Sequence, residues 1–156
     1  MRIDTEPEPV RVVRSAIVGR ESKLSQLADI VTRAIDFQAP QLVTVVGNQG
    51  TGKTRLATYF AWTHLGDFDG GVWFCDLSQA RDINGIAHAV AQGLEVPLGK
   101  EDPVVQLGYA IAGRANCLVI LDNFEQTAAG GAATVGAWLD RAPEAHIAVT
   151  SRGRLR

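Results

Sequence analysis

Eight consecutive residues, Gly47-Asn48-Gln49-Gly50-Thr51-Gly52-Lys53-Thr54, combine the side-chain types and the spacing needed to hold a polyphosphate. They fit the pattern G-x-x-x-x-G-K-[ST], in which glycines let the backbone curl until successive N–H groups point inward at an anion. The positive end of a following helix adds to that field. Lys53 is expected to reach the β- and γ-phosphates, and the Thr54 hydroxyl to ligate Mg²⁺. Arg55 extends the candidate nucleotide-binding stretch by one residue. The plain alternative is a glycine-rich connection, but at average amino-acid frequencies the pattern arises by chance in well under about one in a hundred chains of this length.

A second element, Leu118-Val119-Ile120-Leu121-Asp122, is an apolar run with an acid at its carboxyl end. Alone it is weak, because many buried strands end in an aspartate that only caps the next turn. Beside a phosphate-binding loop, Asp122 becomes the candidate that holds Mg²⁺, usually through water. Hydrolysis also needs a group that orients or deprotonates the attacking water, and the next residue is Asn123, a poor proton acceptor. Glu125 is the nearest following carboxylate; it reads either as a water-positioning group or as a solvent-facing loop residue. Thr150-Ser151-Arg152 closes a later apolar run. Arg152 offers a fixed fork of donors suited to a γ-phosphate, or else belongs to a basic solvated tail with Arg154 and Arg156.

These residues need strands and helices to place them. Leu42 to Val46 is a short β-branched run, the pattern of a strand buried on both faces of a parallel sheet. Gly71 to Leu77, Cys117 to Leu121 and His146 to Thr150 read as three further strands. Helices are expected over Thr54 to Leu65, Asp82 to Leu94, Pro103 to Arg114 and about Ala132 to Arg141. Another is expected over Glu21 to Phe37, where Leu24, Leu27, Ile30, Val31, Ala34 and Ile35 recur at helical spacing. Alternating strands and helices imply right-handed crossovers and a three-layer α/β/α domain around a mostly parallel sheet. Ligands of such sheets collect at the carboxyl ends of the strands, where Gly47, Asp122 and Thr150 all fall.

The 156 residues suffice for one domain, and a formal charge of −2 gives no reason to expect direct nucleic-acid binding. Residues 1–16, centred on Glu6-Pro7-Glu8-Pro9, read as an extended arm ahead of a domain over 17–156. Cys75 and Cys117 lie in apolar runs without metal-ligand spacing and read as reduced core residues. His64, His88 and His146 are equally isolated. No segment approaches the length of a membrane span or a signal core, so the cytoplasm is the expected compartment and no membrane partner is expected.

From Ile17 onward the sequence resembles the nucleotide-binding domain of the STAND ATPases, the signal-transduction branch of the AAA+-like P-loop proteins that includes NB-ARC, NACHT and the bacterial LuxR- and SARP-type regulators. Ile17-Val18-Gly19-Arg20-Glu21, the P-loop (Walker A), Leu118 to Glu125 (Walker B) and Val149-Thr150-Ser151-Arg152 carry the resemblance, with Val72-Trp73-Phe74-Cys75-Asp76-Leu77 resembling the family's second strand. It implies that Val18, Gly19 and Arg20 lie beside adenine and that Arg152 senses ATP against ADP. It also implies a sheet order of 5-1-4-3-2, the sensor strand lying between the P-loop and Walker B strands. Family members continue with a fifth strand, a helical lid, a winged-helix domain and sensor repeats. The chain, with four core strands, is therefore expected to be a fragment of a longer parent.

The function expected from residues and resemblance together is an ATP/ADP-binding switch module of a signalling or transcriptional regulator, using Mg²⁺ and hydrolysing ATP slowly at most. Its partners would be the parent's lid, winged helix, sensor repeats and effector, with nucleotide-dependent self-association as an output. The alternatives are a nucleic-acid-stimulated AAA+ helper ATPase and a P-loop small-molecule kinase; the latter lacks an acceptor pocket and an Arg-rich lid in this sequence.

Overall fold

The computed structural model describes residues 2–3, 41–46, 53–124 and 128–151. They form β1 (Arg2–Ile3), β2 (Gln41–Val46), α1 (Lys53–Thr63), β3 (Val72–Asp76), α2 (Ile83–Leu94), α3 (Pro103–Gly113), β4 (Leu118–Asp122), α4 (Ala128–Arg141) and β5 (His146–Ser151). The helix expected over Glu21 to Phe37 lies outside the described residues.

The sheet order is β1-β3-β4-β5-β2. The four longer strands are parallel, with Gln41 beside His146, Leu118 beside His146, and Val72 beside Leu118. β5 thus stands between β2 and β4, the placing that the resemblance implied for the sensor strand. β1 is a short antiparallel addition at the far edge, Arg2 facing Trp73 and Ile3 facing Val72. The Trp73 ring there has the Arg114 guanidinium 4.3 Å from its centroid and that of Arg2 at 5.7 Å, cation–π contacts that tie the edge strand to the body.

Alternation along the strands separates two cores. Val72, Leu118 and Ile120 face α1 and pack with Ala57, Phe60, Ala61 and Phe68. Cys75, Val119, Leu121, Ile147 and Val149 face α2, α3 and α4, packing with Ile86, Val90, Leu94, Leu107, Ile111 and Trp138. Burying each large aliphatic side chain of this second face contributes about 1.5–3 kcal/mol. Helices on both faces of a parallel sheet make the expected three-layer α/β/α arrangement.

Local chemistry sets the helix ends. Asp82 Oδ1 accepts from the Gly85 amide at 2.7 Å and opens α2; Asp102 Oδ1 accepts from the Val104 amide at 2.9 Å and opens α3, whose first residue is Pro103. Glu95 closes α2 in the left-handed region at φ 59°. Two expectations shift. α1 ends at Thr63 rather than Leu65, since Leu65–Asp67 form a 3₁₀ turn. α4 begins at Ala128, ahead of the expected Ala132. This first turn is irregular, because Gly130 stands in the left-handed region at φ 78°, a conformation that glycine adopts readily. A Cβ on Gly131 would stand 2.7 Å from the Phe124 ring, so the glycine lets α4 lie against that buried side chain.

Candidate nucleotide site

β2 ends at Val46 and α1 begins at Lys53, so the stretch Gly47 to Gly52 connects a strand's carboxyl end to a helix N-terminus. Gly47, Asn48, Gln49, Gly50, Thr51 and Gly52 lie outside the described residues, as do Val18, Gly19, Arg20, Glu125 and Arg152. Lys53 is the first residue of α1, and Arg55 is exposed on the same helix.

Of the residues singled out by sequence, Thr54 and Asp122 are brought together. The Thr54 hydroxyl in the first turn of α1 donates to Asp122 Oδ1 at 2.8 Å, across 68 residues of chain. Asp122 closes β4 on the face that carries Leu118 and Ile120, the face turned to α1. The strand geometry therefore aims its carboxylate at the start of that helix.

A third oxygen joins them, on a residue that the sequence placed at the ligand end of the sheet without assigning its hydroxyl a partner. The Thr150 hydroxyl, near the end of β5, donates to the same Asp122 Oδ1 at 2.5 Å and accepts from the Asn123 amide at 3.1 Å. Asn123 sits in the left-handed region at φ 61°, which asparagine tolerates better than most residues. Its side-chain amide donates to Asp122 Oδ2 at 3.1 Å. The Asp122 carbonyl accepts from the Leu77 amide at 2.9 Å, tying the end of β4 to the loop after β3.

Asp122 is only 4% exposed, and the described side chains that touch it are neutral donors. Burying a carboxylate is costly without a positive charge to compensate it. A hydroxyl and a carboxylate oxygen 2.8 Å apart are the hard oxygen donors that suit Mg²⁺. Thr54 and Asp122 therefore fit the ion, which would supply charge neutralisation for a bound polyphosphate.

A strand-loop-helix phosphate motif, a parallel sheet with the β5 strand inserted between β2 and β4, and an acid at the end of β4 define a P-loop NTPase of the AAA+ type. The chain belongs to the AAA domain family, whose model matches residues 35–146. It is an AAA-type nucleotide-binding module. An uncharacterised protein of Mycobacterium tuberculosis is 26% identical over 137 residues, 88% of this chain and 33% of that protein. A protein named as an HTH-type transcriptional regulator, from the same species, is 31% identical over 112 residues, 72% of this chain and 12% of that protein. The chain thus spans about a third or less of the relatives it matches.

Among solved structures, Cdc6p from Pyrobaculum aerophilum has a TM-score of 0.70, covering 88% of this chain and 40% of that one at 16% identity. A chain of the HORMA:CdnC:Trip13 complex of E. coli MS115-1 has a TM-score of 0.58, covering 100% and 64% at 16% identity. Likeness at this identity concerns the fold alone. Among the described residues no helix is long and apolar enough to cross a membrane.

Proposed function

We propose that this chain is the ATP/ADP-binding switch module of a STAND-type signalling or transcriptional regulator, with Mg-dependent hydrolysis slow at most. The observation that carries the reading is the Thr54–Asp122–Thr150 cluster, which gathers the ends of α1, β4 and β5 on one buried carboxylate. A bound Mg-nucleotide would exchange the Thr54–Asp122 hydrogen bond for contacts to the ion. Thr150 lies two residues before Arg152, so a sensor arginine reporting the γ-phosphate would act on the strand that already touches Asp122. Such a switch needs differential affinity of two conformations rather than fast turnover.

In this reading residues 17–156 form the nucleotide-binding part of a longer regulator, and Val18, Gly19 and Arg20 read the adenine. The similarity to a protein named as an HTH-type transcriptional regulator supports a regulatory parent. The parent's effector and sensor domains, and a second copy of the module, are the natural partners.

The test is the shift in unfolding temperature with Mg·ATP, Mg·ADP and Mg·GTP, for the wild type and Lys53→Ala side by side. A ligand at about 100 times its Kd stabilises the folded state by roughly 2.7 kcal/mol. The expected result is a shift with adenine nucleotides that Lys53→Ala abolishes. A folded protein that shifts with no nucleotide, or a shift that survives Lys53→Ala unchanged, overturns the reading.

A further inference from the structure

Among the described residues that touch Asp122, none can take a proton from an attacking water. Asn123 follows Asp122, and an amide does not take up a proton near neutral pH. The parallel register supplies a carboxylate from the neighbouring strand instead. Asp76 closes β3 directly beside Asp122 of β4. Val72 and Phe74 of β3 pack on the α1 side, as do Leu118 and Ile120 of β4. By alternation Asp76 and Asp122 therefore stand on the same face, on strands roughly 4.8 Å apart. The Asn123 side-chain amide lies between them, 3.1 Å from Asp122 Oδ2 and 3.5 Å from Asp76 Oδ1.

The two carboxylates have opposite surroundings. Asp122 is buried against hydroxyls, whereas Asp76 is exposed, at the rim of an open cleft of about 630 Å³ lined chiefly by the α2 residues Gly85, His88, Ala89, Gln92 and Gly93. Water reaches Asp76 freely. Partial burial works to raise its pKa, but hydrogen bonds from the Ser78 amide, the Ser78 side chain and Asn123 outweigh it and hold the carboxyl below its ordinary range. It is therefore ionised and able to accept a proton at neutral pH.

We propose that Asp76 is the proton acceptor for the attacking water in ATP hydrolysis, held in line with Asp122 by Asn123. The proposal rests on the nucleotide-binding reading given above. In the step, the water oxygen forms a bond to Pγ and the bond from Pγ to the β,γ-bridging oxygen breaks. That electron pair leaves with ADP, and the proton lost by the water passes to the Asp76 carboxylate and then to solvent. A carboxylate held below its ordinary pKa is a weak base, which accords with slow hydrolysis.

Two measurements on the full chain separate this inference from the reading beneath it: the Mg·ATP-induced shift in unfolding temperature, and single-turnover hydrolysis with protein in excess. Asp76→Asn keeps an oxygen to accept the Ser78 amide, and Asp76→Ser is a second variant suited to the same turn. Both are expected to bind Mg·ATP as the wild type does and to hydrolyse it about 100-fold more slowly. Absence of Mg·ATP binding by the wild type would remove the underlying reading. Intact binding with undiminished hydrolysis in both variants would overturn the role of Asp76 alone. So would a wild type that binds without hydrolysing, or loss of hydrolysis in Glu125→Gln with none in Asp76→Asn.

Discussion

Gly93 of α2 lies directly on Cys75 of β3: a methyl group added at Gly93 would overlap Cys75 Sγ and stand 2.8 Å from the Phe74 carbonyl oxygen. The helix can approach the sheet this closely only because position 93 has no side chain. Gly93→Ala must push α2 off the strand, and overpacking of this kind costs about 1–3 kcal/mol. Because Phe74 O is backbone and cannot retreat alone, adding Cys75→Ala should restore only part of the loss. Urea unfolding of the two single variants and the double variant measures both effects, the coupling appearing as non-additivity. Full stability in Gly93→Ala would contradict the close approach.

Thr150 offers a test of the candidate site that does not touch the phosphate loop. Thr150→Val keeps the shape but removes the hydroxyl that donates to Asp122 and accepts from the Asn123 amide. Leaving both groups without this partner should destabilise the fold by about 1–3 kcal/mol, while Thr150→Ser, which keeps the hydroxyl, should lose less. Thermal unfolding compares them, and the Mg²⁺ concentration required for nucleotide binding reports whether Asp122 has moved.

The buried titratable groups set the pH range of stability. Burial pushes the Cys75 thiol up to about 12 and that of Cys117 up to about 11, from an ordinary value of 9.0. Above about pH 9 the unfolded chain releases these protons while the folded protein keeps them, so stability falls as pH rises toward the folded values. At the other end, burial lowers the pKa of His146 from 6.5. Below that value the unfolded chain binds a proton that the folded protein refuses, so this contribution is lost as pH falls toward the lower folded value. A denaturant midpoint measured across pH should therefore decline on both sides, and Cys75→Ala should flatten the alkaline limb. The same burial predicts that a thiol reagent at pH 8 labels Cys75 and Cys117 only when denaturant is present.

Much of this was legible because the signals are local. The runs read as strands over Leu42 to Val46, Gly71 to Leu77, Cys117 to Leu121 and His146 to Thr150 became strands to within a residue at each end, since a continuous apolar run flanked by turn residues has few other uses. The pairing of Thr54 with Asp122 followed from two short motifs whose chemistry requires them to meet. The start of α4 was misplaced because Gly130 takes a left-handed φ and Gly131 lies against the Phe124 ring, reasons that only the tertiary structure contains. Thr150 was legible as a residue at the ligand end of the sheet but not as a hydrogen-bond partner of Asp122, and Asp76 gained its importance from register. Nothing in a single sequence states that Asp76 stands beside Asp122, although each ends its strand in the same way. The β1 pairing was hidden for a related reason. Two residues, Arg2 and Ile3, carry no periodicity and find their partners some seventy positions away.

The position of β2 in the sheet has a consequence for how the protein is made. Among the described strands its only neighbour is β5, with Gln41 beside His146 and Val46 beside Ser151. The strand that leads into the phosphate loop leaves the ribosome ahead of its partner and waits for about a hundred further residues before that partner exists. At roughly 5–20 residues per second, that wait is on the order of 5–20 s. For that interval β2 is an unpaired, β-branched segment in a nascent chain. The β2–β5 pairing thus cannot form before β5 is made, and a chain interrupted before residue 146 would expose this strand to pairing with other molecules.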